Sequence, residues 1–178
     1  MRRVVVTGLG CVSPLGLDVE STFKALCDGR SAAGLITRFD TSNFPVKIAA
    51  EIKGFDPSFY LDKKEIRRND LYTHYAIAST EMAKRDANFD DPFYPKDRIG
   101  IIWGSGIGGI TTFEEQMRIF LTQGPSKVSP FFITMMISNM AAGILAIRYG
   151  YTGDNYGVVS ACASGAHAIG IAYESIKN

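Results

Sequence analysis

The sequence predicts an α/β protein, and three observations carry that prediction. Short β-branched runs at residues 4–6, 99–103 and 156–159 are each followed by a glycine-rich or small-residue turn and then by helical periodicity. Eighteen glycines gather largely at such turns. The hydrophobic content of 46% excludes a disordered chain. At 178 residues there is enough chain for one good core and not quite for two. Nineteen basic residues against 18 acidic ones leave a net charge of +1, which argues against general nucleic-acid binding and against an acidic tail. Cys11, Cys27 and Cys162 are odd in number and lack metal-ligand spacing, so free thiols in a reducing, cytoplasmic setting are expected, with no metal.

The first element is a buried strand over residues 3–7. A basic start before an apolar run imitates a secretion signal, but Gly8, Gly10 and Pro14 break the run too early. No stretch is long and apolar enough to span a membrane, so no membrane association is expected. Gly8-Leu9-Gly10 makes a turn, and Asp18 then caps a helix with Glu20 in its first turn. Phe23, Leu26 and Cys27 form that helix's apolar stripe, and Gly29 ends it. Residues 31–45 read as irregular loop, 46–50 as a short strand, and 54–60 as loop again. Asp62 opens the longest helix, expected to run to about Ala87 with Ile66, Leu71, Tyr75, Ala78 and Met82 on its apolar face. Its first turns carry Lys63, Lys64, Arg67 and Arg68, and Lys64, Arg67 and Arg68 share a face. A solvated face is the simpler reading. Cations there oppose the helix dipole, however, which makes a negatively charged partner more credible.

A strand over residues 99–103 leads into Gly104-Ser105-Gly106-Ile107-Gly108-Gly109 and a helix over 111–120. Gly104, Gly106 and Gly109 formally satisfy a dinucleotide fingerprint. Its mid-chain position and the lack of an acidic residue about 20 positions on weaken that reading, and a tight turn against a packed helix competes with it. Residues 129–137, rich in Phe and Met, lead into a helix ending at Gly150. They suit a core helix, a greasy pocket or a subunit contact.

The chemistry concentrates at Ser160-Ala161-Cys162-Ala163-Ser164-Gly165-Ala166-His167. A strand precedes this stretch and a helix over 163–177 follows it, so Cys162 sits at the turn between them. Ala161, Ala163 and Gly165 let the backbone bend sharply and a substrate come close. Free N–H groups and the dipole at the helix start favour thiolate over thiol, and the thiolate is the nucleophile. The competing reading is a small, inert buried residue.

Four blocks together resemble the N-terminal part of the β-ketoacyl-[acyl-carrier-protein] synthases, the condensing enzymes of fatty-acid synthesis, and most of all their long-chain-elongating type (synthase II). They are Arg2-Arg3-Val4-Val5-Val6-Thr7-Gly8-Leu9-Gly10 with Ser13-Pro14-Leu15-Gly16, the glycine block, Ser129-Pro130-Phe131-Phe132, and Ser160-Ala161-Cys162-Ala163-Ser164-Gly165. The resemblance covers essentially the whole chain and explains away the dinucleotide fingerprint. It implies a thiolase-like fold with layers α-β-α-β-α built from two similar halves, of which residues 1–178 are most of the first. It implies no cofactor and a ping-pong reaction. Cys162 would take an acyl group from acyl carrier protein. Malonyl-carrier protein would lose carbon dioxide, and its carbanion would attack the thioester to give 3-oxoacyl-carrier protein. The backbone N–H of Cys162 would supply half of an oxyanion hole. Ile107 would line the acyl pocket, and Met135 and Met136 would close the partner subunit's pocket. Lys64, Arg67, Arg68 and Lys127 would meet the acidic carrier protein. Residues 155–160 would pair across the two-fold axis of a homodimer.

Two departures stand beside the resemblance. The family's catalytic histidines, a nearby lysine and the other half of the oxyanion hole belong to the second half of the fold. Here the only histidines are His74, read as a satisfied structural residue, and His167, about 140° around a helix from Cys162 and badly placed as its base. The chain is therefore expected to be a fragment or one piece of a split enzyme, unable to condense alone and with bare apolar surface. Thr134-Met135-Met136 is bulkier than the family pattern, which bears on acyl-chain length. Beside the condensing acyltransferase of fatty-acid elongation stand a type II polyketide ketosynthase, a non-catalytic partner subunit of such an enzyme, and a dinucleotide-binding oxidoreductase using the glycine block.

Overall fold

The structure, a computed structural model, describes residues 2–89 and 93–178. Helix α1 (Val19–Cys27) starts where Asp18 accepts a hydrogen bond from Ser21 N–H, and Gly29 follows it with φ +65°. Its stripe is apolar as expected but uncovered. Phe23 is 66% exposed and Leu26 58%, and Ala25 is the residue that is buried. A short antiparallel pair follows, β1 (Ala33–Leu35) with β2 (Ile48–Ala50). Strand β1 thus lies within the stretch read as irregular, and the strand expected over 46–50 is reduced to three residues. The Glu51 carboxylate fastens this hairpin by accepting from Thr37 N–H, Thr37 Oγ1 and Arg38 N–H.

The long helix expected from Asp62 is two helices. Helix α2 (Lys63–Arg68) has Asp62 as its cap in a full capping box with Glu65. Asn69 is extended, and Asp70 then caps α3 (Leu71–Asp86). The break has a physical cause. The buried Asp70 carboxylate accepts from Tyr72 N–H and also from Thr112 N–H and Thr112 Oγ1, so it joins the starts of two helices.

Strand β3 (Ile101–Gly104) pairs in parallel with β4 (Asn155–Val158), from Ile101 opposite Asn155 to Gly104 opposite Val158. Between them run α4 (Ile110–Gln123), α5 (Phe132–Met136) and α6 (Met140–Tyr149), which Gly150 ends in the left-handed conformation. Helix α7 (Ser164–Lys177) follows β4. Both α6 and α7 pack on the parallel pair, and α3 packs on α6. The core lies there: Leu61, Ala76, Ile77, Ala141 and Leu145, with Ile101, Trp103 and Ile144 against them. Arg148 of α6 bonds Glu65 and the Tyr60 carbonyl, which ties α2 to this core.

The strand expected over residues 3–7 is not formed. Val5 and Val6 are 58% and 79% exposed, and among the described residues no strand offers them a ladder. The adjoining turn is held instead by α3: Leu9 N–H donates to Asp86, and Gly8 and Gly10 lie so close to the Ala83 and Ser79 carbonyls that a Cβ would clash with each.

Candidate active site

Strand β4 runs directly into the cysteine. Ser160 leaves the extended conformation, with φ −151° and ψ 47°, and Ala161 takes φ +50°, a left-handed value that costs an alanine about 1–2 kcal/mol. A single 3₁₀ turn, Ala161–Ala163, precedes α7. Cys162 stands on that turn, exposed, with a free thiol. The sharp strand–turn–helix expected from the small residues is present, and the inert, buried reading of Cys162 does not fit its exposure.

Two side chains hold the turn. Ser164, 3% exposed, accepts from Ser160 N–H at 2.9 Å and donates to the Ala161 carbonyl at 2.7 Å. His167 Nδ1 lies 2.7 Å from Ser160 Oγ. The expectation that His167 is not placed as the cysteine's base agrees with this partner. Ser164 was not singled out from the sequence, although its spacing of four from Ser160 at a helix start is a signal for such a bond.

The glycine block packs against the same turn. A Cβ on Gly104 would sit 2.3 Å from the Ser164 carbonyl oxygen, and one on Gly106 would sit 3.5 Å from that of Ala161. Gly108, with φ +82°, and Gly109 meet the Met136 and Met135 carbonyls equally closely. Several backbone donors of the block are also engaged: Ser105 N–H with the Val158 carbonyl, Gly108 N–H with Ser105 Oγ, and Gly109 N–H with the Met136 carbonyl. Space at Gly104, Gly108 and Gly109 and several of the donors that a pyrophosphate would use are taken by protein. The tight-turn reading therefore accounts for these glycines.

Ile107, at the tip of the block, is 69% exposed. Met135 and Met136 are half-buried and joined to the block through their carbonyls, so the structure brings these three residues to one locality. A hollow of about 810 Å³ beside β4 and α7 is lined by Tyr156, Val159, Ser160 and His167 but not by Cys162. The residues 155–160 expected to pair across a dimer form β4 as far as Val158, with one edge on β3.

Lys64, Arg67, Arg68 and Lys127 are all exposed. Because α2 ends at Arg68, Arg67 and Arg68 occupy a last turn, where the dipole favours cations. The dipole conflict expected from one long helix is thus removed for Arg67 and Arg68, while Lys63 and Lys64 remain in a first turn. Arg68 stacks over the Phe131 ring at 4.5 Å, which brings it to the segment carrying Lys127. His74 is buried as a structural residue, but neither ring nitrogen has a hydrogen-bond partner of good geometry. Burial pushes its pKa down, against weaker opposing effects of the Ile66 carbonyl, the Asp70 charge and the Asn69 carbonyl. Among the described residues no cluster of His, Cys, Asp and Glu could hold a metal, and no helix is long and apolar enough to cross a membrane.

Comparison with known proteins converges on one family. Over 177 residues the chain is 46% identical to a 3-oxoacyl-[acyl-carrier-protein] synthase 2 of Coxiella burnetii, covering 99% of this chain and 43% of that protein. It is 43% identical over 177 residues to the protein of the same name from Synechocystis, with 99% and 42% covered. The chain thus spans less than half the length of the curated relatives it matches. Among solved structures, a type II polyketide ketosynthase in complex with its acyl-carrier protein and bound to a hexaketide superposes with a TM-score of 0.86 at 25% identity, covering all of this chain and 47% of that one. The fold is therefore that of the thiolase-like ketosynthases, as the resemblance implied. The sequence model described as the N-terminal domain of beta-ketoacyl synthase matches residues 1–178, and the chain belongs to that family.

Proposed function

We propose that the protein is the nucleophile-bearing half of a 3-oxoacyl-[acyl-carrier-protein] synthase of fatty-acid elongation. One observation carries the reading: Cys162 is exposed on a strained, side-chain-held turn at the start of a helix. In the first half-reaction its thiolate attacks the carbonyl carbon of an acyl-carrier thioester. The carbonyl π pair moves to oxygen, then returns and expels the carrier thiolate, which takes up a proton. Acyl-Cys162 remains. Decarboxylation of malonyl-carrier protein then supplies the carbanion that displaces Cys162 and releases a 3-oxoacyl-carrier protein longer by two carbons. This chain contributes the nucleophile and the N–H of its own peptide. The residues that decarboxylate malonate are assigned to a second half-domain, which would also cover Val5 and Val6.

In this reading Ile107 lines the acyl channel, and Met135 and Met136 close that of a second subunit in a homodimer formed along the free edge of β4. Lys64, Arg67, Arg68 and Lys127 dock the acidic carrier. The polyketide alternative is supported by the ketosynthase neighbour at 25% identity, and the fatty-acid reading by relatives at 43–46%. A non-catalytic subunit is disfavoured by the presence of Cys162.

The test is peptide-mapped mass spectrometry of the full-length protein after incubation with an acyl-loaded carrier protein. An acyl adduct on Cys162 that disappears in C162A, with the circular dichroism unchanged, is the expected result. Loading that persists in C162A overturns the assignment.

A further inference from the structure

The Ala161 carbonyl and the Cys162 N–H belong to one planar peptide unit and point in opposite directions across it. Whatever holds that oxygen therefore aims that hydrogen. Ser164 holds the Ala161 oxygen twice, by its backbone N–H, which closes the 3₁₀ turn, and by its hydroxyl at 2.7 Å; the same hydroxyl accepts from Ser160 N–H at 2.9 Å. The hydroxyl thus ties the 161–162 peptide back to the 159–160 peptide, across Ala161, the residue held at φ +50°. Ser164 is itself fixed. It is 3% exposed, and its own carbonyl lies against Gly104, where the absence of a side chain allows contact. No solvent competes for the hydroxyl, and its two bonds leave it one orientation.

We infer that Ser164 is a positioning residue for acyl transfer: through the Ala161 carbonyl it directs the Cys162 N–H at the oxygen that becomes negative when the thiolate attacks. The inference rests on the reading of Cys162 as acyl acceptor. Loss of the hydroxyl leaves the 161–162 peptide held by the Ser164 N–H alone and cuts its tie to Ser160, so the peptide can tilt and Ala161 can relax toward negative φ. The N–H then leaves its line while the thiol stays exposed.

Two reactions of the same sulfur separate this role from a merely structural one. Iodoacetamide alkylates the thiolate by displacing iodide, with no oxyanion formed. A thioester acylates it through an oxyanion. Rates at Cys162 are read by peptide mapping, which sets Cys11 and Cys27 aside. In S164A of the full-length protein, acylation from an acyl-loaded carrier should fall about 10²-fold, the usual cost of losing one oxyanion donor, while alkylation changes by no more than about threefold. S164T, which keeps the hydroxyl, should restore acylation. If S164A does not fold, the near-isosteric pair S164T and S164V makes the same comparison. Equal loss of both reactions in S164A, or unchanged acylation, overturns the inference while leaving Cys162 as the acceptor. A wild-type protein that alkylates but never acylates overturns the functional reading and this inference with it.

Discussion

Around α3 and α6, Ala76, Ile77, Ala78, Ala141 and Ala142 are wholly buried and Leu145 is 1% exposed. Along α7 and the N-terminal segment, Val6 is 79% exposed, Ile169 73% and Ile176 54%, and only Ser164 and Ala168 of α7 are buried. The first region is a small, dry core made largely of alanines, which lets helices and the parallel pair approach closely. The second carries the cysteine on an apolar face that this chain leaves open. Cohesion and chemistry are thus placed on different sides of one two-stranded sheet. Damage to one side should register as lost stability, and damage to the other as lost reaction.

The sharpest attempt to break that contrast sets L145A against I176A. The first empties a fully packed site and should lower the unfolding free energy by about 2–5 kcal/mol. The second trims an exposed residue and should stay within about 0.5 kcal/mol. Denaturant titration of the two variants checks this, and similar losses would dissolve the distinction. Next comes D70A, which leaves Thr112 N–H and Oγ1 without their buried acceptor and should cost about 1–3 kcal/mol. Alkylation of Cys162 in that variant should keep its wild-type rate.

A smaller effect belongs to His74. Burial lowers its pKa from the ordinary 6.5, so the unfolded chain takes up a proton before the folded one does. Stability should therefore be intact above pH 6.5 and decline as pH falls through the interval between that value and the lower folded one. A leucine in its place should flatten this decline, and a midpoint that drops equally in both proteins would assign acid sensitivity elsewhere. A small stability change is also expected for R68A, which removes a cation from the Phe131 ring at an exposed site worth about 0.5–1 kcal/mol. With R67A it should nevertheless weaken carrier binding, most clearly at low salt, measured by titration calorimetry.

What could be read from the sequence was local. The Asp18 cap, the endings at Gly29 and Gly150, and the small residues bending the chain around Cys162 each depend on a few neighbours, and each stands in the structure. What could not be read depended on distant partners. Residues 3–7 have strand composition, but a strand needs a ladder. Phe23 and Leu26 define an apolar face without saying what covers it. The helical period runs through Asn69 and Asp70 unbroken, because the helix start that Asp70 bonds lies at Thr112. The glycine block was ambiguous for the same reason. A pattern required by close backbone approach to Ser164 and Met136 is written in the same letters as one required by phosphate. The Ser164 clamp is local and was legible in principle from its spacing to Ser160.

The pairing of Ile101 with Asn155 sets the order of events in time as well as in space. A parallel pair needs a long crossover between its strands, and loop closure makes such contacts slow to form. The turn carrying Cys162 hangs from the end of β4, so its geometry should mature late in refolding. Helical circular dichroism should return first. The acylation of Cys162 that the proposed function calls for should lag behind it, and stopped-flow refolding followed by acylation at set delays would record the interval.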